Sequence, residues 1–107
     1  MTTEKPGSES TPAKLAALHA IFRGRVQQVG FRQFVCREAA ALQVTGWVRN
    51  RLDGSVEAQM VGNGKAINEL LRRCRVGPAL AEVKDVNVQP GPVPDTVPTG
   101  FVARSTI

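Results

Sequence analysis

A chain of 107 residues, 42% hydrophobic and 21% charged, is sized for one small globular domain. No apolar run is long enough to span a bilayer and no charged-then-apolar start resembles a signal peptide, so a cytoplasmic location is expected and a membrane partner is not. Net charge is +5, and because Glu4 and Glu9 balance Lys5 and Lys14 the excess falls on the folded part; so modest a bias suits nucleic acid, membrane or a small anionic substrate alike.

Positions 1–17 are rich in Ser, Thr, Pro, Gly, Glu and Lys and lack periodic apolar positions, which predicts a disordered extension ahead of a domain over 18–107. Leu18, Ala20, Phe22, Gly24 and Val26 alternate with His19, Ile21, Arg23 and Arg25, the period of a strand with one face on a core. A first helix is expected from Phe31 to Leu42, with Phe31, Phe34, Val35, Ala39 and Leu42 on one side. Val44–Leu52 reads as a second strand, Asp53-Gly54 as a hairpin turn, and Ser55–Val61 as a third strand, with Val56, Ala58 and Met60 facing opposite to Glu57 and Gln59. Gly62-Asn63-Gly64 breaks the chain before a second helix over Lys65–Val76, whose Ile67, Leu70, Leu71 and Cys74 follow helical spacing. Gly77-Pro78 stops it, and Arg72, Arg73 and Arg75 suit the negative end of its dipole, so capping and solvation account for them. Leu80–Gln89 is a fourth strand, Pro90–Thr99 a proline-rich loop, and Gly100–Thr106 a short fifth strand. The order β-α-β-β-α-β makes two split βαβ units, an α+β sandwich of the ferredoxin-like kind: an antiparallel sheet, two helices on one face, and a short added strand.

Cys36 and Cys74 fall in the two helices without metal-ligand spacing and read as buried free thiols, and the single histidine, His19, reads as a strand residue. The stretch from Gly24 to Arg32 carries more. It is a strand-to-helix turn with a glycine at each end and an arginine at the helix start. Free N–H groups and the helix dipole favour an anion there, glycines let successive N–H groups converge, and a guanidinium suits phosphate or carboxylate. A tight strand-to-helix turn also wants glycine for its geometry alone, and Asn50, near Asp53-Gly54, reads on local sequence as a hairpin residue rather than a catalytic one.

Gly24-Arg-Val-Gln-Gln-Val-Gly-Phe-Arg32 and Gly46-Trp-Val-Arg-Asn50 closely resemble the two signature segments of the acylphosphatase family, and Gly77–Val83 and Gly100–Arg104 also fit its pattern. The resemblance spans about Leu18 to Arg104. It implies a hydrolase of acid anhydrides that cleaves the carboxyl–phosphate bond of acyl phosphates, with no metal and no cofactor. By the same resemblance Arg32 is the phosphate-binding arginine, Asn50 orients the attacking water, and the loop amides of Gln27, Gln28, Val29, Gly30 and Phe31 cradle the phosphate. Chemistry agrees, since an acyl phosphate has a good leaving group and needs holding, charge balance and an aimed water more than a base. Trp47 and Phe34 then read as packing residues, and Arg23, Arg25, Arg49 and Arg51 either as charges that steer anions or as plain solvated residues of strand faces. The chain departs from the family at Gln28, where glycine is usual. A glutamine held at positive φ costs about 1–2 kcal/mol, so a catalytically weak anion-binding or regulatory module is the alternative. Nucleic-acid binding by the sheet is a third reading, but there is no Tyr and most of the four Phe fit core positions. The expected partner is a small acyl phosphate bound to a monomer, with no nucleic acid.

Overall fold

The computed structural model describes residues 15–107. Its elements follow the expected order: β1 (Leu15–Arg25), α1 (Phe31–Ala41), β2 (Thr45–Asn50), β3 (Val56–Asn63), α2 (Gly64–Val76), β4 (Glu82–Gly91) and β5 (Phe101–Arg104). The sheet runs β4-β1-β3-β2-β5. The first four strands pair antiparallel, and β5 joins β2 in parallel, so the antiparallel sheet gains a mixed edge. This is the ferredoxin-like α+β sandwich with an added strand.

Both helices cover one face. Ala20 and Phe22 of β1, Val48 of β2, and Val56, Ala58 and Met60 of β3 meet Phe31, Val35 and Ala39 of α1 and Ile67, Leu70, Leu71 and Cys74 of α2 in one buried cluster. Each large side chain taken out of water there contributes about 1.5–3 kcal/mol. Register puts His19, Ile21, Trp47, Arg49, Glu57, Gln59, Val102 and Arg104 on the opposite face. Trp47 therefore packs outside the core, not in it: the guanidiniums of Arg49 and Arg104 lie over its ring at 4.8 and 4.9 Å from the centroid. Glu57, at 7% exposure, is buried on this face because His19 and Arg49 bind its carboxylate.

Four expectations need correction. Leu15, Ala16 and Ala17, placed in the extension, open β1 opposite Asn63, Gly62 and Val61; the rest of that extension lies outside the described residues. β4 runs through Pro90 and Gly91, where a loop was expected, because an edge strand needs no N–H from Pro90 on its open side. Cys36 is half-buried, whereas Cys74 is fully buried and its thiol is pushed by burial to about 12. Arg72 and Arg73 do more than cap and solvate: both bind Glu69, and Arg73 Nη1 reaches Glu38 of α1 at 2.8 Å, joining the helices. Hydrogen bonds from both arginines hold the Glu69 carboxyl at about 2.

Candidate active site

The chain leaves β1 at Arg25 and enters α1 at Phe31. Gly30 is the N-cap of α1, with φ 77° and ψ 19°, and no side chain hydrogen-bonds the cap. Phe34 is the first residue to return an intrahelical bond, from its N–H to the Gly30 carbonyl at 3.0 Å. The N–H groups of Phe31, Arg32 and Gln33 are thus the uncommitted donors of a helix N-terminus, with no acidic residue in the first turn to compete for an anion. Phe31 anchors the corner: it is buried, and its ring lies 5.2 Å from that of Phe22.

A cavity of about 290 Å³ opens at this corner, lined by Val26, Gln28, Gly30, Phe31, Arg32, Gln33, Asn50 and Ala103. None of these is a carboxylate, histidine or cysteine. Arg32 projects from the first turn of α1, and its Nη1 donates to the Arg104 carbonyl at 3.3 Å. Asn50 closes β2 across the cavity, and its carbonyl accepts from the Ile107 N–H at 3.2 Å. Gln28 has φ 62°, the left-handed conformation its place in the loop suggested, and stands exposed at the rim.

Of the residues singled out in the sequence, Gln28, Gly30, Phe31, Arg32 and Asn50 meet at the cavity; Gln27 and Val29 are not in its lining. The Gln27 side chain turns to the β2–β3 hairpin, where Nε2 donates to the carbonyls of Arg51 at 2.8 Å and Ser55 at 2.9 Å. Val29 packs at the margin of the core. Sequence reasoning missed Gln33 and Ala103. Gln33 supplies the third free N–H of a helix start and was findable from that rule, whereas Ala103 arrives only through the pairing of β5 with β2. The arginines read as steering charges divide. Arg49 donates to Glu57 at 2.8 Å and Arg51 lies 4.0 Å from both Asp53 and Glu57, so these two are paired with carboxylates, while Arg23 and Arg25 stand exposed.

Comparison with known proteins agrees over the whole fold. The sequence model of the acylphosphatase family matches residues 18–103. An acylphosphatase of Moorella thermoacetica is 57% identical over 75 residues, covering 70% of this chain and 81% of its own length. One from Acidiphilium cryptum is 49% identical over 92 residues, 86% of this chain and 99% of the relative. The crystal structure of acylphosphatase from Bacillus subtilis superimposes with a TM-score of 0.80 at 33% identity, over 85% of this chain and 99% of that one. With the fold, both signature segments and these relatives in agreement, the chain belongs to the acylphosphatase family, hydrolases of acid anhydrides that split acyl phosphates into a carboxylate and inorganic phosphate.

Proposed function

We propose that the cavity at the β1–α1 corner is where this hydrolysis takes place. The phosphoryl oxygens sit against the free N–H groups of Phe31, Arg32 and Gln33 and the Arg32 guanidinium. These fixed donors meet the charge that spreads over the oxygens as the phosphoryl group transfers. The Asn50 side-chain carbonyl accepts a hydrogen bond from a water and aims it in line with the leaving carboxylate, while its NH₂ remains free to donate. The water oxygen bonds to phosphorus, the bond from phosphorus to the acyl oxygen breaks, and its electron pair leaves on the carboxylate. The water proton passes to a phosphate oxygen of the substrate, since no lining residue is a general base.

The single observation that carries this reading is that Arg32 and Asn50, on different elements, line one cavity with the uncapped start of α1. The donor set asks for no metal. The test is hydrolysis of acetyl or benzoyl phosphate with and without a chelator, in wild type, Arg32→Ala and Asn50→Ala. Turnover should survive the chelator and fall by about 10²–10³-fold in each variant. Full activity in Arg32→Ala would remove the assignment.

The same reading takes the chain as a cytoplasmic monomer whose substrate is a small molecule. Among the described residues no helix is long and apolar enough to cross a membrane. Trp47, the aromatic residue on the open sheet face, already carries two guanidiniums over its ring, so it offers a nucleic-acid base a poor stacking platform.

A further inference from the structure

We propose that Trp47 is a positioning residue for Arg32, acting through Arg104. This inference rests on the reading of Arg32 as the phosphate-binding group.

β5 is four residues long and lies at the sheet edge, paired to β2 alone; backbone bonds from Gly46 N–H to the Gly100 carbonyl and between Ile107 and both Asn50 and Leu52 close the pairing at its two ends, and no strand flanks it on the outer side. It nevertheless sets one wall of the cavity: Ala103 lines it, and the Arg104 carbonyl takes the bond from Arg32 Nη1. A shift of β5 along β2 would carry that carbonyl, and the guanidinium it holds, away from the place where the phosphoryl oxygens bind. Errors of an ångström in such placement are costly.

The open face adds a side-chain hold between those two ends. Trp47 stands on β2 beside Val102 of β5. The Arg104 guanidinium lies 4.9 Å from the indole centroid and the Arg49 guanidinium 4.8 Å, both in cation–π range. Arg49 is itself fixed, because its Nε donates to the buried Glu57 carboxylate at 2.8 Å, and His19 binds the same carboxylate. The indole is thus set by β2 and β3 and grips β5 through one side chain. Arg104 is held at its guanidinium by Trp47 and holds Arg32 with its carbonyl, so a ring on the face away from the cavity fixes a charge inside it.

The exposed Arg104 allows a clean test, since removing its charge empties no core. KM and kcat for benzoyl phosphate, and the inhibition constant of inorganic phosphate, are measured in wild type, Arg104→Met, Arg104→Lys, Trp47→Leu, Trp47→Phe and Arg32→Ala. In Arg104→Met, KM and the phosphate inhibition constant should both rise about threefold to fivefold and kcat should fall by at least a similar factor, because Arg32 meets the phosphoryl oxygens both when bound and during transfer. Arg104→Lys and Trp47→Phe, which keep a cation and a ring, should recover most of the loss, and Trp47→Leu should match Arg104→Met. Unchanged phosphate affinity in Arg104→Met, beside a large loss in Arg32→Ala, overturns the clamp and leaves the cradle standing. Failure of Arg104→Lys to recover affinity also overturns it, because the carbonyl is then indifferent to the cation. Unchanged affinity in Arg32→Ala overturns the cradle, and the clamp falls with it.

Discussion

Gln27 and Arg51 join the β1–α1 loop to the strand end that carries Asn50. Gln27 Nε2 donates to the Arg51 carbonyl at 2.8 Å and to the Ser55 carbonyl at 2.9 Å. Both carbonyls have a second donor, Gly54 N–H at 3.1 Å and Arg51 N–H at 2.9 Å, so losing the amide leaves neither unpaired. Gln27→Met should then cost about 1–2 kcal/mol of stability. Gln27→Glu should cost more, since a carboxylate has no hydrogen to offer and faces two carbonyl oxygens. Because Asn50 precedes Arg51, kcat should fall in both, by up to about 100-fold. Urea midpoints and turnover numbers check the order; equal stability of Gln27→Glu and wild type would refute the brace.

Gln28 bears a different load. Its φ of 62° is the left-handed conformation, which costs a non-glycine residue about 1–2 kcal/mol. Gln28→Gly relieves that strain but frees the unfolded chain by about 0.5–1 kcal/mol, so a net gain of about 0.5–1 kcal/mol is expected. Gln28→Val should lose about 1 kcal/mol or more, because a β-branched residue suits positive φ least. Turnover in Gln28→Gly should stay within about twofold of wild type if the loop already holds its working shape. A large gain over a feeble wild type would instead favour the anion-binding module over the efficient hydrolase.

How far the sequence foretold this molecule follows from where each contact lies along the chain. Ile67, Leu70, Leu71 and Cys74 are spaced to share a helix face, and all four are buried. Asp53-Gly54 turns the expected hairpin, and Asp53 accepts from the Ser55 N–H at 2.9 Å as an Asx turn does. The start of β1 was hidden because Leu15 to Ala17 follow a polar, proline-bearing stretch and only pairing with β3 makes them strand. At the site, the glycine-bounded turn before Arg32 pointed to an anion on local chemistry, but Asn50 stood out only through the family resemblance. The Arg104 carbonyl and the clamp on Trp47 were not legible, since both depend on a parallel pairing between distant segments. Nor does local sequence explain Gly46, whose reason lies on the neighbouring strand.

Gly46 has φ 139°, and a Cβ there would lie 1.9 Å from the Gln59 carbonyl oxygen and 2.9 Å from its carbon. Those are backbone atoms of β3, which sits between β1 and β2 and cannot step aside. Gly46→Ala should therefore lose about 3 kcal/mol or more, from overpacking and backbone strain together. It should also loosen β5, because Gly46 N–H donates to the Gly100 carbonyl at 2.9 Å and Phe101 sits opposite. Gly91→Ala is the control: nothing lies within 4 Å of a Cβ there, and its effect should stay within about 0.5 kcal/mol. Thermal unfolding of the two variants decides the matter, and similar midpoints would show that β3 yields after all.

Glu57 gives the open face its own pH dependence. Burial pushes its carboxyl up, but hydrogen bonds from His19 and Arg49, with their charges, outweigh burial and hold it below the usual carboxylate range. A carboxylate whose value is lowered on folding adds stability above its unfolded value, about 4.3, and that stability is lost as pH falls through the folded value. Glu57→Gln should thus be less stable than wild type at pH 7 by about 1–3 kcal/mol, and the deficit should close as pH drops below about 4. Glu38, Glu69 and Asp53 are also lowered by their partners, so acid weakens both proteins, and the difference between their urea midpoints isolates Glu57. If the deficit keeps its size from pH 7 to pH 3, it arises from packing rather than charge, and the ionised carboxylate is not what anchors Arg49 beneath Trp47.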